Sequence, residues 1–232
     1  MNTNKTARTA GIIYIIMDIC LVFSGLIVDP KIYVPGDTVA TVTNILTFEW
    51  LYRLSFVSNL IGIILNLFLV LALYELFRSV NKRQARLMVI LVVAGVAVAF
   101  LNNLNKYVPI LLLNNTGHLS GFNQSQLQSL AIVFLDFFNH GVILTEIFWG
   151  LWLIPLGLLV CKSGFIPKVM GFLLFVGCVG QLTDFFSVFL FPNYSAILTP
   201  IAEMAMIGEL FFFVWLLIKG IKTQQPTITE EV

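Results

Sequence analysis

Six long apolar segments divide this chain, and no other feature constrains its fold as strongly. A bilayer core of about 30 Å is crossed by roughly 20 residues of α-helix, which matches the length of these segments. We therefore predict an all-α polytopic membrane protein, a bundle of six transmembrane helices that forms a single integral membrane domain over residues 1–232. The predicted spans are Ala10–Val28, Phe56–Phe77, Leu87–Tyr107, Phe138–Cys161, Val169–Leu190 and Ile197–Ile218.

The composition leaves little material for a soluble domain. Charged residues make up 11% of the chain, whereas soluble domains contain about 25%. A net charge of +1 provides no basic surface for nucleic acid, so the lipid bilayer is the expected partner. The three cysteines, Cys20, Cys161 and Cys178, all fall in apolar segments, which favours free thiols over a disulfide framework.

The basic residues predict the orientation of the six spans. Positive charge marks the cytoplasmic side of a membrane protein, and six spans place ten of the 13 basic residues on one side. Both termini are therefore predicted to be cytoplasmic. Lys31, Arg53 and Lys106 fall on or toward the other side. The ten are Lys5, Arg8, Arg78, Lys82, Arg83, Arg86, Lys162, Lys168, Lys219 and Lys222.

Two segments outside the predicted spans also carry helix signals. Asp37 or Thr38 is a predicted N-cap before the second span, and Ser120 or Asn123 is one before the fourth span. We expect short interfacial helices in the outer loops here, or extensions of the spans themselves. Inside the fourth span, Pro155 predicts a kink because proline removes a helical hydrogen bond.

Polar side chains inside the spans form the second informative pattern, because such groups are costly in lipid and are usually functional or paired. Four of them lie sixteen positions above the cytoplasmic basic residue of their helix, a height of about 24 Å. The four are Asn102, Glu146, Asp184 and Glu203. Their shared depth predicts an outward-facing polar pocket that the apolar cytoplasmic halves of the spans seal. Hydrogen bonding that only holds the helices together is the alternative.

Three further residues are predicted at the mouth of this pocket. Arg53 and Lys106 are the cations that could balance the acidic layer, and His140 lies near the outer boundary of the fourth span. For Arg53 the alternative is a simple salt bridge with Glu49, four residues earlier on the same helix.

Asp136 and His140 are also four residues apart, so they share one helix face and could form half of a metal site. A structural hydrogen bond between them is the alternative. Asp18 and Glu209 lie near the membrane midplane and would be the inner steps of a transport path. The cofactor stays unknown at this point, since phosphate-binding loops, nucleophile elbows and zinc-binding helix motifs are absent from the sequence.

Several short motifs form a combination that is typical of one family. The motifs are Ala7–Tyr14, Val34–Thr38, Leu73–Phe77, Phe148–Trp152, Lys162–Pro167 and Trp215–Gly220. Together they resemble a bacterial family of small polytopic membrane proteins described only as domain of unknown function 4386, and the resemblance covers almost the whole chain. It implies a multi-pass protein of the bacterial cytoplasmic membrane, and it carries no activity, ligand or catalytic residue.

Three functions are compatible with these patterns. The first is binding or transport of a small molecule or a cation in the outward-facing pocket, and this is our prediction. The second is a non-catalytic accessory, sensor or immunity protein whose polar groups serve folding and partner contact. The third is an intramembrane enzyme that uses Asp136, His140 and nearby carboxylates, with or without a metal. The sequence predicts neither the ligand nor the oligomeric state.

Overall fold

The computed structural model describes residues 3–114, 119 and 121–220, and these ranges are helical apart from short turns. Six helical segments are long and apolar enough to cross a membrane, which confirms the predicted all-α fold with six spans. Ser120 and Lys222, used in the predictions above, lie outside the described residues. The side of the membrane on which each terminus lies stays a prediction.

The first span is built from three consecutive helical pieces. Helix α1 (Thr3–Val22) continues through a π-helical segment (Phe23–Val28) into the short helix α2 (Asp29–Ile32). Helix α3 (Thr38–Thr47) follows outside the predicted spans. The remaining spans are α4 (Glu49–Phe77), α5 (Lys82–Leu113), α6 with α7 (Gln124–Leu151 and Leu153–Ser163), α8 (Lys168–Leu190) and α9 (Ser195–Lys219).

Side-chain caps begin the two helices that were predicted from outer-loop signals. The Asp37 carboxylate accepts a hydrogen bond from the Ala40 amide at 2.8 Å and caps α3. Asn123 and Gln126 form a reciprocal capping box at the start of α6, which satisfies amides that have no helical partner. Because α6 then runs without a break to Leu151, its first turns are an extension of the fourth span.

The fourth span is interrupted close to the predicted position. Helix α6 ends at Leu151 and α7 begins at Leu153, with Trp152 between them. Proline has no N–H, and its ring collides with the carbonyl four residues earlier, which for Pro155 is the carbonyl of Leu151. This interruption lies one turn before the proline, and because Trp152 keeps helical backbone angles the kink itself stays a prediction.

The six spans form a ring in chain order. Each span packs against the next one along the chain, and α1 packs against α9 to close the ring. At the closing contact, Gly11 lies directly against the backbone of Leu217. The Tyr14 ring stacks on Phe213 beside it, with 3.9 Å between ring centroids.

A large hydrophobic cluster fills the end of the ring that carries most of the basic residues. Every span contributes to it, so this end is solid and apolar, and the polar side chains are left toward the other end. Dense packing of this kind gains dispersion energy even where lipid replaces water. Its members include Ala10, Leu73, Met88, Leu156, Leu174 and Phe213, one from each span.

Candidate functional site

A cavity of about 410 Å³ lies between the first four spans, next to the hydrophobic cluster. Small-molecule sites typically have volumes of about 300–1,000 Å³, so this cavity is large enough for a small ligand. Gly25 and Asn139 on its wall are exposed, which shows that the cavity reaches the protein surface. Its polar lining consists of Asp29, Asn59, Asn66, Asn102, Asn139 and Thr145.

Asn66 is one of the two buried polar residues of this lining, the other being Thr145. Asn66 projects from an apolar stretch of α4, and its residue surface is only 9% exposed. Its Oδ1 atom is buried and has no hydrogen-bond partner among the described residues. Such an unpartnered group costs about 1–3 kcal/mol, a cost that a ligand group could offset once the Asn66 amide turned its oxygen toward the cavity.

Asn102, predicted from sequence as a pocket residue, lines the same cavity and also ties two spans together. Its Nδ2 donates to the Phe138 carbonyl at 2.9 Å, and its Oδ1 accepts from Asn105 at 3.1 Å. Gly141 makes this approach possible, because a Cβ atom there would collide with the Asn102 amide. Asn102 therefore contributes to the packing of α5 against α6 as well as to the cavity wall.

A buried ion pair closes one side of the cavity. The Lys106 ammonium donates to both carboxylate oxygens of Asp29, at 2.6 and 2.8 Å, and to the Ser24 hydroxyl at 2.8 Å. These three acceptors satisfy all three ammonium donors, and the ammonium also lies 4.9 Å from the centre of the Phe138 ring. The Lys106 counter-ion is thus Asp29, which corrects the expectation that Lys106 balances the carboxylates of the predicted layer.

The π-helical segment Phe23–Val28 shapes the wall that carries Asp29. Segments of this kind are frequent at functional sites, where the wider turn alters the direction of the following side chains. Here Ser24 links the first span to α4 by hydrogen bonds, because its hydroxyl lies 3.1 Å from the Ser55 hydroxyl and 3.4 Å from the Asn59 amide. Gly25 faces open space, and a Cβ atom built there meets nothing within 4 Å.

The three carboxyl groups of the predicted layer lie together, away from the cavity lining. Glu146 interacts electrostatically with Asp184 and with Glu203, and its Oε2 atom is buried without a hydrogen-bond partner among the described residues. Asp184 is buried and also accepts a hydrogen bond from the Thr199 hydroxyl at 2.5 Å. These contacts link α6, α8 and α9.

The structure therefore divides the predicted polar layer between two places. Asn102 faces the cavity of the first four spans, whereas Glu146, Asp184 and Glu203 lie among the last three. Equal depth did not place them around one cavity, because the direction of a side chain also depends on the rotation of its helix. Whether any of them binds a ligand stays a prediction.

The two midplane candidates form a separate contact between the first and last spans. Asp18 on α1 and Glu209 on α9 interact electrostatically with each other and with the Tyr14 hydroxyl. Both acids are partly buried, and neither lines the 410 Å³ cavity. Their position is at the closing contact of the ring.

Asp136 and His140 make contacts that favour a structural role over half of a metal site. The His140 ring nitrogen Nδ1 lies 2.8 Å from the Asp136 carbonyl oxygen, and the Tyr33 hydroxyl donates to the Asp136 carboxylate at 3.1 Å. Partial burial, followed by this hydrogen bond, raises the pKa of Tyr33 above its ordinary value. Within the described ranges, no group of three or more His, Cys, Asp or Glu side chains is arranged to hold a metal ion.

Arg53 pairs with Glu49 at 2.6 Å, as the alternative reading of their spacing predicts. Both side chains are about one-third exposed, at 37% and 34%, so the pair lies at the surface. Asn114 donates a further hydrogen bond to Glu49 at 3.2 Å. The Arg53 guanidinium lies 6.0 Å from the Tyr107 ring centre and belongs to the outer surface of α4 and α5.

Sequence reasoning missed Asp29 and Ser24, although both contribute to the cavity wall or to its ion pair. Asp29 directly follows the predicted end of the first span at Val28, and Ser24 lies inside an apolar run. One signal could have found the ion pair. Asp29 and Lys106 are both charged residues near the outer ends of predicted spans, and a lysine at that position needs a partner.

Comparison with known proteins identifies the family of this chain. An uncharacterized protein of Archaeoglobus fulgidus is 37% identical to it over 83 residues, which cover 36% of this chain and 48% of the relative. The chain thus matches about half the length of that curated relative, at 48%. No solved structure matches the chain significantly. The family model described as "Domain of unknown function (DUF4386)" matches residues 9–220, and because this range includes all but the ends of the sequence, the chain belongs to the DUF4386 family.

Proposed function

We propose that this multi-pass membrane protein binds a small molecule in the cavity between its first four spans, as a binding protein or a transporter. The observation that carries the proposal is the unpartnered Asn66 carbonyl at the wall of a cavity of ligand size. A buried polar atom without a partner is rare in folded proteins, and rotation of the Asn66 amide would bring this oxygen to the cavity, where a ligand group could pair with it.

The shape of the interior favours binding or alternating access over a continuous channel. The cavity lies against the hydrophobic cluster, to which Ile63 belongs and against which Trp149 packs. An ion that moved through this cluster would lose its hydration at a cost of several kcal/mol. A transporter would therefore have to move its spans relative to one another, and a binding protein would not.

The distribution of basic residues supports an orientation in which the cavity opens toward the outside of the cell. Family resemblance supports the bacterial cytoplasmic membrane as the location. The partners in this proposal are the lipid bilayer and a small-molecule or cation ligand.

Filling the cavity tests the proposal directly. Gly25→Phe places a ring in the cavity wall without a collision, since a Cβ atom at Gly25 meets nothing within 4 Å. Gly121→Phe is the matched control, because a Cβ atom there also meets nothing within 4 Å and Gly121 is not part of the cavity lining.

The measurement is a thermal-shift screen of the purified protein in lipid nanodiscs against a library of small metabolites. Ligand binding raises the unfolding temperature by mass action. We expect compounds that stabilise the unmodified protein to stabilise Gly121→Phe equally and to leave Gly25→Phe unchanged. An equal response of both variants, or no stabilising compound at all, would contradict the proposal.

A further inference from the structure

We infer that the ligand of this cavity is uncharged and carries hydroxyl or amide groups that hydrogen-bond to Asn66. The inference rests on the proposed binding function and specifies the class of molecule bound. It is drawn from the charges, the hydrogen bonds and the burial of the cavity wall.

The charge of the lining argues against an ionic ligand. Among the described residues, Asp29 is the only charged one that lines the cavity, and the Lys106 ammonium already neutralises it. A cation bound at Asp29 would compete with that ammonium, which is 1% exposed. An anion bound at Lys106 would in turn leave the Asp29 carboxylate without its counter-ion. Both exchanges are unfavourable in a buried environment.

The hydrogen-bonding groups of the lining are amides and one hydroxyl, and several of them are already used. Asn102 is bonded to Phe138 and Asn105, and Asn59 donates to Ser24. The Thr145 hydroxyl donates to the Val142 carbonyl at 2.6 Å and accepts from the Trp149 indole at 3.1 Å. These bonds leave the carbonyl of Asn66 as the buried lining group without a partner in the described chain.

The amide of Asn66 determines which ligand groups fit. An asparagine amide carries a donor and an acceptor side by side, and its terminal torsion has two broad, nearly equivalent orientations. It can therefore present either atom to the cavity. Hydroxyl and amide groups are the uncharged partners that both donate and accept, so they complement Asn66 in either orientation.

The rest of the wall accepts the carbon skeleton of such a ligand. Ile63, Ala99 and Val142 give aliphatic contacts, and Phe138 and Trp149 add aromatic ones. A few polar groups on an otherwise apolar wall are typical of small-molecule sites. A compact polyol or an aromatic carboxamide combines both properties.

A thermal-shift titration in nanodiscs tests the inference with four small probes. Two are uncharged, myo-inositol and nicotinamide, and two are charged, choline and succinate. We expect at least one uncharged probe to raise the unfolding temperature and both charged probes to leave it unchanged. Asn66→Leu is expected to weaken the apparent affinity for that probe about tenfold or more, because the amide hydrogen bonds are lost.

Asn103→Leu provides the matched control for Asn66→Leu. Asn103 is also buried, at 1% exposure, and both of its amide atoms lack a partner. It does not line the cavity, so this variant should keep the full response. If Asn66→Leu does not accumulate in the membrane, Asn66→Ala replaces it in the same titration.

The outcomes separate the inference from the proposed function. Stabilisation by choline or succinate alone, abolished by Gly25→Phe, would overturn the inference and support the binding function. An unchanged response of Asn66→Leu to an uncharged probe would also overturn the inference. If neither uncharged probe stabilises the protein, the inference fails; the proposed function fails with it only if the library screen also finds no stabilising compound, or if Gly25→Phe responds like the unmodified protein.

Discussion

Lys106 and Asp29 form an ion pair whose two members are buried to different extents. The Lys106 side chain is 1% exposed, whereas the Asp29 side chain is 29% exposed, and the shortest distance between their charged atoms is 2.6 Å. The pair joins the third span to the end of the first span, at the wall of the cavity. Only the lysine is fully removed from solvent. An unpaired Lys106 charge should therefore cost more free energy of unfolding than an unpaired Asp29 charge.

Removal of Asp29 should therefore destabilise the protein more than removal of Lys106. Asp29→Asn leaves a buried ammonium without a counter-ion, which typically costs about 3–5 kcal/mol of the free energy of unfolding. Lys106→Met leaves a carboxylate that still reaches solvent, so we expect a smaller loss. Denaturant unfolding in detergent micelles, followed by circular dichroism, measures both variants.

The double variant Asp29→Asn/Lys106→Met and the surface pair of Arg53 and Glu49 serve as controls. The double variant should recover much of the loss, since no uncompensated charge remains. Arg53→Gln breaks a pair that is about one-third exposed, and such pairs contribute about 0–1 kcal/mol. A loss for Asp29→Asn no larger than that for Arg53→Gln would disprove the assigned role of the ion pair.

Local patterns in the sequence were sufficient to predict the spans and the helix caps. The length of each apolar segment depends only on the segment itself, and the structure confirms six of them. Asp37 and Asn123 act as N-caps because their side chains bond to amides three residues ahead. Pro155 interrupts its own helix for an equally local reason.

The partners of the polar residues could not be predicted in the same way. Counting from a basic residue gives the depth of Asn102 and Glu146, but the rotation of each helix decides that one faces the cavity and the other faces Asp184. The π-helical turn adds a second difficulty. It changes the register of the first span after Phe23, and no sequence signal indicated it, so the contact of Asp29 with Lys106 was not foreseen.

The contact that closes the ring should depend on Gly11. A Cβ atom there would lie 2.8 Å from the backbone nitrogen of Leu217, and backbone cannot move aside as a flexible side chain can. We expect Gly11→Ala to lower the free energy of unfolding by about 1–3 kcal/mol, the usual cost of overpacking. The unfolding temperature of the purified variant in nanodiscs gives the comparison.

Gly25→Ala is the control for this prediction, because the same substitution meets no atom within 4 Å there. It should leave the unfolding temperature nearly unchanged. Similar losses in the two variants would mean that the effect comes from the helix backbone rather than from the contact between α1 and α9.

The predicted orientation of the protein can be tested with single cysteines. Trp50, at the start of α4, is 78% exposed, and Arg83, near the start of α5, is also exposed. The two positions lie on opposite sides of the membrane in the predicted topology, because α4 runs from one to the other. A membrane-impermeant maleimide added to intact cells should label Trp50→Cys and leave Arg83→Cys unlabelled until the cells are lysed.

The parent protein for this labelling experiment carries alanine at Cys20, Cys161 and Cys178, which are free thiols and not fully exposed.

The orientation also decides which compartment supplies the ligand. The cavity and the ion pair lie toward the Trp50 end of the ring, and the hydrophobic cluster fills the end near Arg83. Labelling of Arg83→Cys alone in intact cells would reverse the topology and place the cavity on the cytoplasmic side, where it would take its ligand from the cell interior.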